Sequence, residues 1–290
     1  MKCFSPSSIP DPRVKSKRVR LTVPCGRCAA CITNKRNDWA TRLRIEDRYS
    51  ESAYFITLTY SDDHLPMVDI PNRNGEYLMT LPTLNKKHVQ DFMKRLRGKL
   101  SEKLKYYAVG EYGEKTQRPH YHMLIFGLNK SGRRLEKYLY DKWTYGQIDI
   151  GSVNAASIRY ITNYMVQKAQ YKNPFIQNPF SLMSKGIGKQ YLEKQVHIDK
   201  HHNDLERNYM MFEDGQKSRL PRYYREKIYC ENTRIKQNEK AIIDGDKREL
   251  TNIEKWYQKN KNGNHFQNEY EQYAHYTKQV EKKLKNNAKI

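Results

Sequence analysis

Residues 105–127, KYYAVGEYGEKTQRPHYHMLIFG, limit the fold more than any other stretch, because two aromatic and apolar runs of strand length flank a short link of turn-forming residues. The pattern predicts a β-hairpin from a strand at 105–112 to a strand at 120–127, and hence an antiparallel pair. AYFITLTY (53–60) and GQIDIGSV (146–153) read as two more strands by their β-branched and aromatic content. Between them, Asn85 is placed to cap a helix in which Val89, Phe92, Met93, Leu96 and Leu100 share a face. SGRRLEKYLYDKW (131–143) and AASIRYITNYMVQKAQ (155–170) read as further helices. The order strand, helix, strand, strand, helix, strand, helix predicts an α+β domain with a central, largely antiparallel sheet flanked by helices.

The flanks differ in composition. Residues 1–24 are rich in Pro, Ser and basic residues and read as an irregular arm, and 1–50 carry 12 basic against 4 acidic side chains. From Ile32 to about Tyr49, apolar Ile32, Trp39, Ala40 and Leu43 recur at helical spacing among arginines, which predicts an amphipathic basic helix. SDDHLPMVDIPNRNGEY (61–77) reads as a loop by its Pro, Asp and Asn-Gly content. Beyond about 226 the chain turns Lys-, Asn-, Glu- and Gln-rich and reads as a helical or partly ordered extension. The expected partition is a Cys-rich basic arm and helix at 1–50, a core at 51–225 and an extension at 226–290.

Net charge is +22, and 23 tyrosines are interleaved with the cations. A polyanion, nucleic acid first, is the expected partner, since cations and stacking aromatics together suit single strands. The plainer alternative is a basic protein with solvated charged faces. No apolar run approaches the ~20 residues needed to cross a bilayer, and MKCFSPSSIPDPRV lacks the apolar stretch of a secretory signal. A chain that stays in the cytosol keeps its five cysteines reduced, which favours metal binding or burial over disulfides.

On a strand His120 and His122 point to one face, a pleat apart, and can share a cation; Leu124 and Phe126 continue that face inward, so hydrogen-bonded strand histidines are the alternative. On the helix at 155–170, Tyr160, Tyr164 and Lys168 fall within about 80° of one another, while Ile158, Ile161, Met165 and Ala169 form a separate face. Tyrosines at such spacing are also ordinary core residues. Taken together, the groups suit one reaction: a cation held by histidines polarises a phosphodiester oxygen and a tyrosine attacks the phosphorus, with Lys168 supporting the developing charge. Cys25, Cys28 and Cys31 stand in C-x-x-C-x-x-C, and with Cys3 as a fourth thiolate they make a candidate structural Zn²⁺ site. An iron–sulfur cluster and buried reduced thiols are the alternatives. GLNKSGRR (127–134) approaches a phosphate-binding loop but lacks its Lys-Ser/Thr pair, so no NTPase is expected and unwinding falls to a host helicase.

The succession FITLTY (55–60), GEYG…RPHYH (110–122) and YITNYMVQK (160–168) resembles the HUH-endonuclease replication initiators of small single-stranded DNA bacteriophages, the gokushovirus branch of the microviruses. CGRCAACITNKRNDW, FSLMSKGIGKQYL (180–192) and LPRYY (220–224) carry the resemblance across about residues 25–225. It implies a ferredoxin-like or RRM-like core and a rolling-circle nickase and ligase that takes Mg²⁺ or Mn²⁺ at His120 and His122, with a nucleophile among Tyr160 and Tyr164. It also implies a covalent 5′-phosphotyrosine and a free 3′-OH primer. An acidic third ligand is expected from an adjacent strand, for which Glu111 is the choice, with Glu114 behind it. Asn163 stands where the family's lysine between the tyrosines is expected. The implied partners are single-stranded and supercoiled phage DNA, a host helicase and a polymerase, in the cytoplasm of a bacterial host. Rival readings are a plasmid relaxase or transposase with the same chemistry, and a non-catalytic zinc-stapled nucleic-acid binder.

Overall fold

The computed structural model describes residues 2–98, 100, 102–113, 115–164, 174–212, 214–260 and 269–286. They divide into two compact units, one of Met1–Trp39 with Lys194–Ile290 and one of Ala40–Glu193. In the first unit the arm forms a short antiparallel hairpin, β1 (Ser7–Pro10) with β2 (Arg20–Val23), where an irregular segment is expected. Only four residues pair on each side and none of these strand residues is fully buried, so the arm has no hydrophobic periodicity to announce it. Helix α1 (Ala29–Tyr49) follows.

The second unit contains β3 (Ala53–Thr59), β4 (Met67–Pro71), β5 (Tyr77–Pro82), α2 (Lys86–Arg97), β6 (Lys105–Tyr112) and β7 (Pro119–Phe126). It continues with α3 (Gly132–Tyr140), β8 (Ile148–Ser152), α4 (Ala155–Tyr164), β9 (Phe180–Met183) and α5 (Gln190–Glu193). The predicted hairpin is β6–β7, and it sits inside a five-stranded, wholly antiparallel sheet of order β8-β3-β7-β6-β9. The stretch expected to be a loop holds the strand β4 and runs into β5. Asn72 to Gly75 forms the tip of that hairpin, with Gly75 at φ +88°, and the Pro and Asn-Gly residues mark its ends rather than the absence of strands.

One sheet face carries the main hydrophobic core. Ile56, Leu58, Ala108, Tyr121, Met123 and Ile125 pack there with Val89, Phe92, Met93 and Leu96 of α2 and Leu135 and Leu139 of α3. Asn85 caps α2, its side-chain oxygen accepting from the Lys87 amide at 3.0 Å. Gly146 lies where the chain brushes the end of β3; a Cβ there would sit 2.4 Å from the Thr59 carbonyl oxygen, so glycine alone is accommodated.

The other face holds residues of opposite parity on the same strands, and it is polar at both ends. At one end Glu46 of α1, 2% exposed, accepts from Lys105 Nζ at 2.7 Å, the Gly188 amide at 2.7 Å and Gln190 Nε2 at 2.9 Å. Of the apolar positions expected to drive α1, only Leu43 is fully buried; Ala30, Cys31, Thr33, Thr41, Ile45 and Glu46 are the helix's other buried residues.

The rest of the first unit comprises α6 (Gln195–His202), β10 (Tyr209–Met211), β11 (Lys217–Arg219), α7 (Arg222–Ile228), α8 (Glu231–Asn260) and α9 (Glu269–Asn286). Met210, Leu220, Tyr224, Ile228 and Tyr229 are buried there, and the phenol of Tyr229 meets His201 Nδ1 at 2.8 Å. The polar extension is thus helical over α8 and α9, linked by Trp256 Nε1 donating to Gln279 Oε1 at 3.0 Å. Among the described residues no helix is long and apolar enough to cross a membrane.

Removing one partner of a buried ion pair strands the other charge. Glu46→Ala is expected to destabilise the protein by about 3–5 kcal/mol in urea denaturation, whereas Glu46→Gln, which keeps an acceptor for Gly188, costs less.

Candidate active site

The polar end of the sheet's second face is built by strand register. β6 and β7 pair so that Glu111 lies opposite His120 and Val109 opposite His122, and β3 pairs so that Thr57 lies opposite His122. Side chains directly opposite on one face of a pleated pair are neighbours. Glu111, His120 and His122 therefore converge, with Glu111 Oε1 at 2.7 Å from His120 Nε2 and 3.1 Å from His122 Nε2. Glu111 and His122 are buried and His120 half-buried.

The remaining imidazole nitrogens are held from behind. His122 Nδ1 meets Thr57 Oγ1 at 3.1 Å and His120 Nδ1 meets the Arg118 carbonyl oxygen at 3.2 Å. Both Nε2 atoms are thereby aimed at the carboxylate. Phe55 stacks on the His122 ring, with centroids 5.6 Å apart and planes 19° from parallel.

Helix α4 brings the tyrosines to this cluster. Asn154 starts it, its side-chain oxygen accepting from the Ala156 and Ser157 amides, both at 2.9 Å. Ile158 and Ile161 turn inward, which leaves Tyr160 and Tyr164 to face the histidines. The Tyr160 hydroxyl lies 3.3 Å from His122 Nε2, Tyr164 stacks on His122 at 5.6 Å and 22°, and the two phenol rings meet at 4.8 Å. Asn163 is buried on α4. Lys168 and Glu114 lie outside the described residues.

The electrostatics follow from these contacts. Burial pushes the Glu111 carboxyl up, but the hydrogen bonds and charges of the two histidines hold it below its ordinary value. Burial pulls His120 down, and the Glu111 hydrogen bond and charge, with the Arg118 carbonyl, more than reverse that. Burial pushes the Tyr164 phenol well up, and the Tyr160 hydrogen bond and the Glu111 charge push the same way.

One carboxylate oxygen and two imidazole nitrogens lie within 4.8 Å of one another. Separations of 2.7 and 3.1 Å bracket the edge, about 3 Å, of an octahedron with metal–ligand bonds of about 2.1 Å. The rear partners of both histidines are also what metal-ligating imidazoles have. The residues therefore suit a divalent cation. Sequence reasoning names these three donors and both tyrosines but misses Thr57 and Phe55, whose parts depend on which strand β7 takes as its second neighbour, and the Arg118 carbonyl, a backbone contact two residues before His120.

The cysteines make a second cluster. The Sγ atoms of Cys3, Cys25, Cys28 and Cys31 lie within 4.8 Å of one another. Amide donors of Arg27 and Cys28 bring the Cys25 thiol down to about 6, and burial pushes Cys31 up to about 12. Cys230, which reads as structural in the sequence, is exposed.

Residues 53–169 match the family model of replication-associated protein ORF2, a span that contains Glu111, both histidines and both tyrosines but none of the four clustered cysteines. The chain is similar to replication-associated protein VP4 of Bdellovibrio phage phiMH2K, with 28% identity over 230 residues, 74% of this chain and 70% of that protein. It is similar to replication-associated protein ORF2 of Spiroplasma virus 4, with 32% identity over 209 residues, 64% of this chain and 62% of that protein. It is similar to replication-associated protein ORF4 of Chlamydia phage 1, with 30% identity over 172 residues, 52% of this chain and 40% of that protein. No solved structure matches the chain. The chain is thus similar to replication-associated proteins of phages, in keeping with the resemblance read from the sequence.

With its pKa raised on folding, metal-free His120 adds stability that is full below about pH 6.5 and fades as pH rises through the raised value; Glu111, lowered, adds stability lost as pH falls below about 4.3. The pair thus stabilises most between those limits. In EDTA, NMR titration is expected to place His120 above the ordinary imidazole value in the wild type and to find it lower in Glu111→Gln, where the Arg118 carbonyl is left to oppose burial without the carboxylate charge.

Proposed function

We propose that the chain initiates rolling-circle replication of a phage genome by nicking and rejoining one DNA strand at the origin, with Glu111, His120 and His122 as the metal ligands and Tyr160 as the first nucleophile. The observation that carries this reading is the 3.3 Å approach of the Tyr160 hydroxyl to His122 Nε2, the same nitrogen that faces Glu111. A phenol in that place stands beside the donors that would hold the cation, so a scissile phosphate drawn to that cation would come within its reach.

The donor set is one carboxylate and two imidazoles, which suits Mg²⁺ or Mn²⁺ and leaves positions free for phosphate oxygens and water. A bound divalent cation polarises the phosphoryl oxygen and lowers the charge that the attacking oxygen must approach. The protein's own residues do the rest. Thr57 and the Arg118 carbonyl fix the histidines, and Ile158 and Ile161 anchor the helix that presents the tyrosines. The Tyr160 oxygen loses its proton to solvent or a neighbouring base and bonds to phosphorus, while the bond from phosphorus to the 3′ oxygen breaks. That oxygen takes up a proton and becomes the 3′-OH primer, and the 5′ phosphate stays on the tyrosine as a phosphodiester, whose retained energy allows rejoining without ATP.

Tyr164 is the second acceptor. Its phenol is half-buried, contacts Tyr160 and is held far above its ordinary value by desolvation and by Glu111, so it is the poorer nucleophile unless a bound cation offsets that carboxylate. Two acceptors let one strand be released while the next is captured. In this scheme Lys168 supports the developing phosphate charge. The net charge of +22 supplies affinity for single-stranded and supercoiled phage DNA in the cytoplasm of a bacterial host, where a host helicase and polymerase extend the primer.

The test is a denaturing gel of the protein with a labelled single strand spanning the candidate origin, in Mn²⁺ or EDTA. A metal-dependent covalent band is expected in the wild type and in Tyr164→Phe, and its loss in Tyr160→Phe. Salt-sensitive DNA binding with no covalent band on any origin strand would leave a non-catalytic nucleic-acid binder instead.

A further inference from the structure

We propose that Cys3, Cys25, Cys28 and Cys31 bind one Zn²⁺ in a closed tetrahedral site that staples the basic N-terminal hairpin to the head of helix α1. The proposal stands apart from the strand-nicking reading, since none of the four residues lies among residues 53–169, which hold Glu111, both histidines and both tyrosines.

The first argument is distance. A tetrahedral ion with bonds of about 2.3 Å to sulfur separates its ligands by about 3.8 Å. Cys3 Sγ and Cys28 Sγ lie 3.8 Å apart, and all four sulfurs are within 4.8 Å of one another. A disulfide needs about 2.05 Å and would use only two of the four. An iron–sulfur cluster spreads its cysteines around several metal atoms and inorganic sulfides, which a group this tight does not admit.

The second argument is how the cluster is built. Cys3 precedes β1, Cys25 and Cys28 lie in the turn after β2, and Cys31 sits in the first turn of α1. Gly26 at φ +74° lets the chain fold back between Cys25 and Cys28. Amides point at the sulfurs: Cys25 N–H donates to Cys3 Sγ and Cys28 N–H to Cys25 Sγ, both at 3.3 Å. Such donors stabilise thiolates, the form in which cysteine ligates a metal.

The third argument is need. A two-stranded hairpin of four residues a side is marginal in water, and neither β1 nor β2 has a fully buried residue to hold it. In the turn between them Arg13 is paired to Asp11, but Lys15, Lys17 and Arg18 are exposed, a run of like charges that disfavours order. A metal bond to residues at both ends of this segment supplies what a core does not.

The experiment uses the full chain purified without chelators. Elemental analysis is expected to find one zinc per chain, falling to none in Cys28→Ser and Cys31→Ser and unchanged in Cys230→Ser. Because a cysteine variant can lose zinc merely by unfolding, the wild type is also stripped and titrated with Co²⁺. The expected result is an intense sulfur-to-cobalt charge-transfer band with tetrahedral d–d bands, abolished by added Zn²⁺. With metal bound, the amides of Ile9 and Leu21 in the hairpin exchange slowly, and on stripping they exchange quickly. Iron in place of zinc, disulfides among the four cysteines by peptide mapping, a weak octahedral cobalt spectrum, or zinc that persists in Cys28→Ser and vanishes in His120→Ala would each overturn the proposal.

Discussion

The register between β6 and β7 is the constraint on which the rest of the second unit depends. Pairing Glu111 with His120 sets a carboxylate between two imidazoles, and the same register sends Tyr121, Met123 and Ile125 to the core face. Because side chains alternate at every residue, a slip by one would bury the histidines among α2 and α3 and turn the core outward. The hydrophobic face therefore enforces the polar one. Six alternating apolar positions hold the register far more firmly than a few hydrogen bonds around Glu111 could.

That arrangement has a cost, concentrated on one face. Glu111, His122, Glu46 and Lys105 are all at least nine-tenths buried, and desolvating such groups is unfavourable unless each finds partners. The two ends of the face meet this demand differently. Glu46 has three donors, including a cation, and is fully satisfied within the fold. Glu111 spends one oxygen on two imidazoles, and tyrosine hydroxyls crowd beside it, so the cluster is a set of donors to a cation more than a settled network. The first end holds α1 to the sheet, and the second gathers donors that suit a cation.

How much of this was legible in the sequence follows from which residues carry periodic burial. The β6–β7 hairpin, β3, β8, α2 and α3 announce themselves because their apolar residues recur at the period of the element, and Ile158 and Ile161 do the same for α4. His120, His122, Tyr160 and Tyr164 were legible for the same reason, since parity on a strand and spacing on a helix fix which residues share a face. The β4–β5 hairpin was not: Met67, Tyr77, Leu78 and Met79 are exposed and Ile70 is the one fully buried residue of its two strands, so no apolar period marks it, and the turn residues at Asn72 to Gly75 dominate the local composition. The arm hairpin escaped likewise. Thr57 and Phe55 could be recognised as strand residues but not as partners of His122, because that depends on β3 pairing with β7 across more than 60 residues of chain, a long-range choice that local pattern does not encode. Glu46 was hidden by its own polarity, as a buried carboxylate on a helix looks like a solvated one until its partners are known.

The two clusters of donors divide by chemistry. Four thiolates are soft ligands that fill a tetrahedron and leave no open position, which is the character of a structural site. A carboxylate with two imidazoles is harder and occupies only half of an octahedron, leaving room for phosphate oxygens and water. Neither set does the other's work: a closed thiolate shell has no vacancy for a substrate, and three mixed donors hold a metal too loosely to organise a segment that lacks a core. On the proposed readings, a chain that both orders a short cationic hairpin and acts on a phosphodiester is served by two donor sets of different softness, because one metal environment cannot be both closed and open.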